Sequence, residues 1–205
     1  MPKPTFDRLP ESKRKKFIHE AYQEFSLNSY EGASITNLIK SLGIAKGSFY
    51  QYFEDKEDLY TFLVIDADNQ LNDLLDRACS YQGEDFFDWY TKLLMVEVKF
   101  MLSFPQYAVL FINLTSVISV SQKKLAEEIN AKRKERIYQH LPKSFSDSEL
   151  NDHILSEAPN SIFKLLTKNL NLQKIISAKS IVDIKTERLV SLCTTLVMKF
   201  KRGLL

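Results

Sequence analysis

The sequence predicts an all-α protein: an N-terminal unit of three helices containing a helix-turn-helix, then a larger C-terminal helical domain. Three observations predict the helices and the motif. Leu, Ile, Lys, Glu and Phe recur at helical rather than alternating spacing. Only 5 Gly and 6 Pro punctuate 205 residues, too few for a many-stranded fold. Two short amphipathic segments within 34–53 are joined by a turn of a few residues containing Gly43.

Composition narrows the function classes. Hydrophobic residues make up 44% of the chain, enough for a sizeable core. The length suits a small domain (1–54) fused to a larger one (55–205). Residues 1–53 carry 8 Lys/Arg against 5 Asp/Glu, whereas the net charge of the whole is only +2. The positive excess therefore sits in the N-terminal quarter, a weak nucleic-acid footprint. Cys79 and Cys193 are expected as free, buried thiols. No leader pattern opens the chain and no apolar run approaches ~20 residues, so a cytoplasmic protein without membrane contact is expected. No nucleophile–base pair, Gly-rich phosphate loop or Cys-pair motif is present. The expectation is no catalytic residue, no enzyme and no cofactor. Glu149, His153 and Glu157 share a helical face, which reads as a solvated charged face rather than a metal site.

The elements follow in order. Met1–Leu9 reads as a mobile arm. Pro10 suits a helix start, and Phe17, Ile18, Ala21, Tyr22 and Phe25 repeat on one face before Asn28, Ser29 and Gly32 end that helix. Ser34 caps a second helix whose buried face is Ile35, Leu38, Ile39 and Leu42. Gly43 supplies the turn. A third helix spans about 45–52. Asp55, with Asp58 three residues on, resembles a capping box for a long helix towards Ser80. Helices over 85–103 and 106–118 are separated at Pro105. A charged helix covers 121–140, closed by Pro142. Its charged stretch, Lys123 to Arg136, reads as a solvated face with i, i+4 pairs.

The third helix carries the function. With Phe49 and Phe53 inward at 100° per residue, Gln51 and Gly47 point directly outward, Tyr50 and Tyr52 flank them, and Lys46 lies in the first turn. A side-chain amide pairs well with a base edge in the major groove. Glycine permits close approach, and tyrosine hydroxyls reach the phosphate walls. The basic run Lys13, Arg14, Lys15 and Lys16 opposes the dipole of its helix start, which hints at an anionic partner.

Residues 21–59 resemble the N-terminal domain of the tetracycline-repressor (TetR) family. The matching positions include Ala21, Phe25, Tyr30, Ser34, Ile35, Leu38, Ile39 and the run from Gly43 to Phe53, followed by Lys56, Glu57 and Leu59. Ser29 and Ala33 depart from the usual glycine and threonine. The resemblance implies an all-helical homodimer on double-stranded operator DNA. Ser34, Lys46, Gly47, Ser48, Tyr50, Gln51 and Tyr52 are the expected DNA-binding residues, with Lys56 as a phosphate contact.

For the larger domain, Trp89, Phe100, Phe104, Tyr107 and Phe111 are the expected lining of an effector pocket for a small apolar or aromatic ligand. Aromatics at this spacing also serve as core. Leu189, Val190, Leu192, Cys193, Leu196, Val197 and Phe200 cover too wide an arc for one contact. That pattern fits a central core helix as well as a partner contact; the family resemblance implies that residues 147–170 and 180–202 form the homodimer interface. The function expected is a repressor released from a pseudo-palindromic operator by its effector. The alternative is a helical small-molecule binding protein of the same fold without operator function.

Overall fold

The computed structural model describes residues 1–115 and 119–140, with scattered helical positions between 190 and 202. Among the described residues the helices are α1 Pro4–Asp7, α2 Glu11–Gly32, α3 Ile35–Leu42, α4 Lys46–Tyr52, α5 Lys56–Ala78, α6 Phe86–Ser103, α7 Pro105–Thr115 and α8 Val120–Tyr138. No strand occurs there. No single described helix is long and apolar enough to cross a membrane.

Local chemistry sets these boundaries. Pro10 stands one residue ahead of α2, and its carbonyl accepts from the Lys13 and Arg14 amides. The helix runs past Asn28 and Ser29 to Gly32 without a break. Ser34 caps α3, its hydroxyl accepting from the Asn37 amide at 3.4 Å, while its own amide donates to Glu24 Oε1 at 2.8 Å. Gly43 ends α3 at φ 68°, a left-handed conformation that favours glycine. Asp55 caps α5 by accepting from the Asp58 amide at 2.8 Å. Asp58 returns a bond to the Glu54 amide, at 3.0 Å, one residue earlier than in a standard capping box. Pro105 starts α7 where its missing N–H costs nothing, and α6 and α7 meet there at 111°.

One expectation is overturned at the start of the chain. Residues 1–9 are not a mobile arm. They form α1, and Phe6 is buried among Phe17, Phe53 and Phe62 at ring separations of 5.0–5.7 Å. A single aromatic residue among prolines has no periodicity to announce it, yet it buries enough area to hold the segment.

The buried side chains form one contiguous core running through both expected units. α5 threads it. Tyr60 packs against Phe25 and Tyr30 and donates to the Leu110 carbonyl of α7 at 3.1 Å. Leu59, Leu63, Ala67, Leu71 and Leu75 make its inward face at i, i+4 spacing. Trp89 donates from Nε1 to the Cys79 carbonyl at 2.7 Å, fastening the start of α6 to the end of α5. Both cysteines are free and buried.

The core also holds charge. On α8 the inward row is Leu125, Ile129, Arg133 and Ile137, so Arg133 takes a core position within a stretch expected to be wholly solvated. The i, i+4 pair Lys124–Glu128 on the outer face fits the expectation; Arg133 corrects it. Its guanidinium lies 3.6 Å from Asp68 and 5.0 Å from the Phe111 ring centroid. Glu97 is buried nearby. Glu149, His153 and Glu157, expected as a solvated charged face, and the expected interface residues 147–170, 180–189, 192, 196 and 199–201 lie outside the described residues. Of the final segment, Cys193 and Val197 are buried whereas Val190 and Met198 are exposed.

Burial pushes the Glu97 carboxyl above its ordinary value of 4.5, against the opposing pull of Arg133 and Arg136. A raised folded-state value means that the native chain binds this proton more tightly than the unfolded chain. The contribution is complete below the ordinary value and is lost as pH rises through the raised one. Glu97→Gln removes this loss. The melting temperature of the variant relative to wild type should therefore climb as pH rises above the ordinary carboxyl value, by roughly 2–4 °C for each kcal/mol relieved. A pH-independent difference in thermal melts would show that Glu97 does not titrate in this way.

Candidate nucleic-acid interface

Between them, α3 and α4 build a helix-turn-helix on the aromatic core of α1, α2 and α5. Phe49 and Phe53 are fully buried, which fixes the rotation of α4. Lys46, Gly47, Tyr50 and Gln51 are exposed on its outer face, with Ser48 half-buried beside them. The Tyr50 ring leans edge-on against Phe49 and remains 45% exposed. Tyr52 is less outward than the helical wheel predicts. Its ring packs on Phe6 and Phe17 at 5.8 and 5.9 Å, because α1 rises to meet it. Ser34 is half-buried at the start of α3, already engaged as its cap.

Gly47 has an ordinary helical backbone, and a Cβ built there meets nothing within 4 Å. Neither conformation nor packing inside the chain calls for glycine. In helix interiors glycine costs roughly 1 kcal/mol relative to alanine. The space beside it is open.

Lys56 does not stand free at the start of α5. Its Nζ donates to the carbonyls of Tyr30 at 2.8 Å, Glu31 at 3.3 Å and Ala33 at 3.3 Å, and lies 4.7 Å from the centre of the Tyr30 ring. The ammonium thus caps the negative end of α2. The neighbouring Glu57 accepts from Ser119, the cap of α8, and from Ser121. Those two hydroxyls hold its carboxyl below the ordinary range. Sequence pattern shows neither function, since both partners are remote in the chain. Along the basic run, Lys13 and Lys16 are exposed, Lys15 pairs with Glu11 at 2.5 Å, and Arg14 donates to the Asp7 carbonyl.

Of the expected effector lining, Trp89, Phe100, Tyr107 and Phe111 are buried, whereas Phe104 is 40% exposed. Phe100, Phe104 and Tyr107 pack on one another at 5.1–5.5 Å. Tyr107 also meets Tyr22 of α2, and its hydroxyl donates to Gln70. Phe111 lies under Arg133. Only Trp89 of the five borders the cavity of about 520 Å³ between the ends of α5 and α8 and the start of α6. That cavity is not apolar. One wall carries Asn72, Asp76 and Arg136, and the other carries Tyr81, Trp89 and His140, with His140 stacked on Tyr81 at 4.7 Å.

A helix-turn-helix with an open outer face, set on an all-helical body, defines the class of helix-turn-helix transcriptional regulators. Comparison with known proteins gives the family. The family of bacterial regulatory proteins named tetR matches residues 17–61. The HTH-type transcriptional regulator YdgC of Bacillus subtilis (strain 168) is 22% identical over 162 residues, covering 79% of this chain and 83% of YdgC. YvdT of the same organism is 30% identical over 105 residues, about half of each chain. A TetR family transcriptional regulator from Chloroflexus aurantiacus J-10-FL superposes with TM-score 0.71 at 25% identity, covering 99% of this chain and 98% of that one. The matched domain and the likeness over the whole chain support a TetR-family transcriptional regulator.

Lys56→Met keeps the aliphatic stem and removes the ammonium, leaving three carbonyls at the end of α2 without their donor. We expect a loss of about 1–2 kcal/mol in urea unfolding. Unchanged stability together with weaker DNA binding would instead assign Lys56 to a phosphate.

Proposed function

We propose that the chain is a dimeric repressor that reads a pseudo-palindromic operator through the outer face of α4 and leaves it when an effector binds the larger domain. The observation that carries the DNA reading is Gly47, a helical glycine that nothing inside the chain requires. It lies on the same exposed face as Gln51, Lys46 and Tyr50. On this reading Gln51 pairs with a base edge and Gly47 admits the groove wall. Lys46, Ser48 and Tyr50 hold phosphates, and the Tyr52 hydroxyl does so from the rim of its packed ring. Ser34 presents the first amides of α3 to the backbone. Lys56 acts indirectly, by holding α2 against the motif.

We divide the function at 54/55, with residues 55–205 carrying effector binding and dimerisation. The exposed Val190 and Met198, on the same segment as the buried Cys193 and Val197, leave apolar surface for a contact with a second copy. The mixed lining of the 520 Å³ cavity favours an effector with both a ring and polar groups over a purely apolar one. An effector shifts the protein between DNA-binding and released states only through its differential affinity for them.

Gly47→Ala and Gln51→Ala test the reading. Gly47→Ala should leave the melting temperature unchanged or slightly raised, and should weaken binding to a duplex selected by the wild-type protein by about tenfold or more. Gln51→Ala should flatten preference at one position of each half-site and leave affinity for random duplex intact. Equal losses on selected and random DNA for Gln51→Ala would remove it from base reading. If Gly47→Ala bound as tightly as wild type, α4 would not enter a groove at that point.

A further inference from the structure

The segment before α2 is fastened to the recognition helix itself. The Lys3 amide donates to the Tyr52 carbonyl at 2.8 Å, the Lys3 ammonium donates to the Tyr50 carbonyl at 3.1 Å, and the Thr5 hydroxyl donates to the Gln51 carbonyl. Three successive carbonyls at the end of α4 thus receive donors from residues 3–5. A seven-residue helix leaves its last carbonyls without intrahelical partners and is too short to persist alone. Lys3 also brings a positive charge to the negative end of the helix. Behind these bonds Phe6 is wedged between rings of α2, α4 and α5, with Phe53 at 5.0 Å, Phe17 at 5.3 Å, Phe62 at 5.7 Å and Tyr52 at 5.8 Å.

We propose that residues 3–6 position the recognition helix, and that Lys3 and Thr5 determine specificity without meeting a base. The proposal rests on the operator reading given above. Hydrogen bonds to base edges weaken steeply when donor and acceptor are misaligned. Attraction to phosphates is long-ranged and tolerates small displacements. Loosening the end of α4 therefore acts on sequence-specific binding and spares non-specific binding. Direct contact of the segment with DNA gives the opposite signature, a uniform loss with a smaller salt dependence.

The test uses the full-length protein. Wild type selects a duplex from a random library, and Kd is measured for that duplex and for its scrambled counterpart at two salt concentrations. Thr5→Val should lose about 5–20-fold on the selected duplex and under about twofold on the scrambled one, with an unchanged salt slope. Thr5→Ser should restore binding, and Lys3→Met should behave as Thr5→Val does. Unaltered affinity, or equal loss on both duplexes, overturns the proposal. So does a reduced salt slope for Lys3→Met with Thr5→Val silent, because Lys3 is then a phosphate contact. Amide hydrogen exchange without DNA provides a second measurement. The amides of Lys3 and residues 50–53 should exchange at least about fivefold faster in Thr5→Val, with the middle of α5 unaffected. If wild type enriches no sequence, the operator reading fails, and exchange alone decides whether the segment holds α4; unchanged exchange overturns that as well.

Discussion

The Lys56 ammonium, held by the last carbonyls of α2, is the joint on which the DNA-reading unit is assembled. Three successive side chains in the first turn of α5 leave in three directions. Lys56 reaches α2, Glu57 reaches the start of α8, and Asp58 returns to the Glu54 amide that closes the α4–α5 link. The turn thus orients the helix-turn-helix, the larger domain and the exit of the recognition helix together. α5 then continues without interruption to Ala78, a rod about 34 Å long at the rise of an α-helix. Whatever displaces its far end is felt where Lys56 and Glu57 are anchored.

A second set of bonds decides how the unit moves. The Tyr107 hydroxyl of α7 donates to Gln70, whose amide donates to Asp66, which also accepts from the Tyr22 hydroxyl of α2 at 2.7 Å. Tyr22 further donates to the Leu63 carbonyl, and its ring packs on Tyr107 at 4.6 Å. Burial and the Asp66 carboxylate raise the Tyr22 phenol and keep it neutral, as a donor must be. A hinge between residues 54 and 55 would break these bonds and part the Tyr22 and Tyr107 rings. The packed core therefore runs across 54/55 without a break.

The sequence makes local features legible and leaves remote ones hidden. The Ser34 cap, the Gly43 turn, the Asp55 cap, the inward Phe49 and Phe53 and the break at Pro105 each follow from chemistry within four residues. The outward set on α4 follows from the same periodicity. Tyr52 departs because a ring from residue 6 covers it. Docking of the first nine residues was invisible for the same reason, since its donors and its wedge act across more than forty residues of sequence. Phe100, Tyr107 and Phe111 illustrate another limit. Helical spacing shows which side chains turn inward and does not separate filling a core from lining a cavity. Arg133 is the converse. Its neighbours in sequence are charged, and only the Leu125–Ile129–Ile137 row shows that it faces inward.

Buried charge ties the cavity to the body of the larger domain. Arg136, on the cavity wall, pairs with Asp76 and donates to Asn72 Oδ1 at 3.2 Å. Asn72 in turn donates to Asp68 at 3.0 Å, and Asp68 faces Arg133 inside the core. A core selected for stability alone gains little from such ions, because desolvation offsets most of their attraction and apolar residues of similar volume serve as well. Among the described residues Asp68 Oδ1 accepts no hydrogen bond. The links of this cluster are polar and directional, and they run from the cavity wall into the middle of α5 through one side chain, Asn72. A ligand group that competed for Arg136 or Asp76 would disturb a costly buried pair.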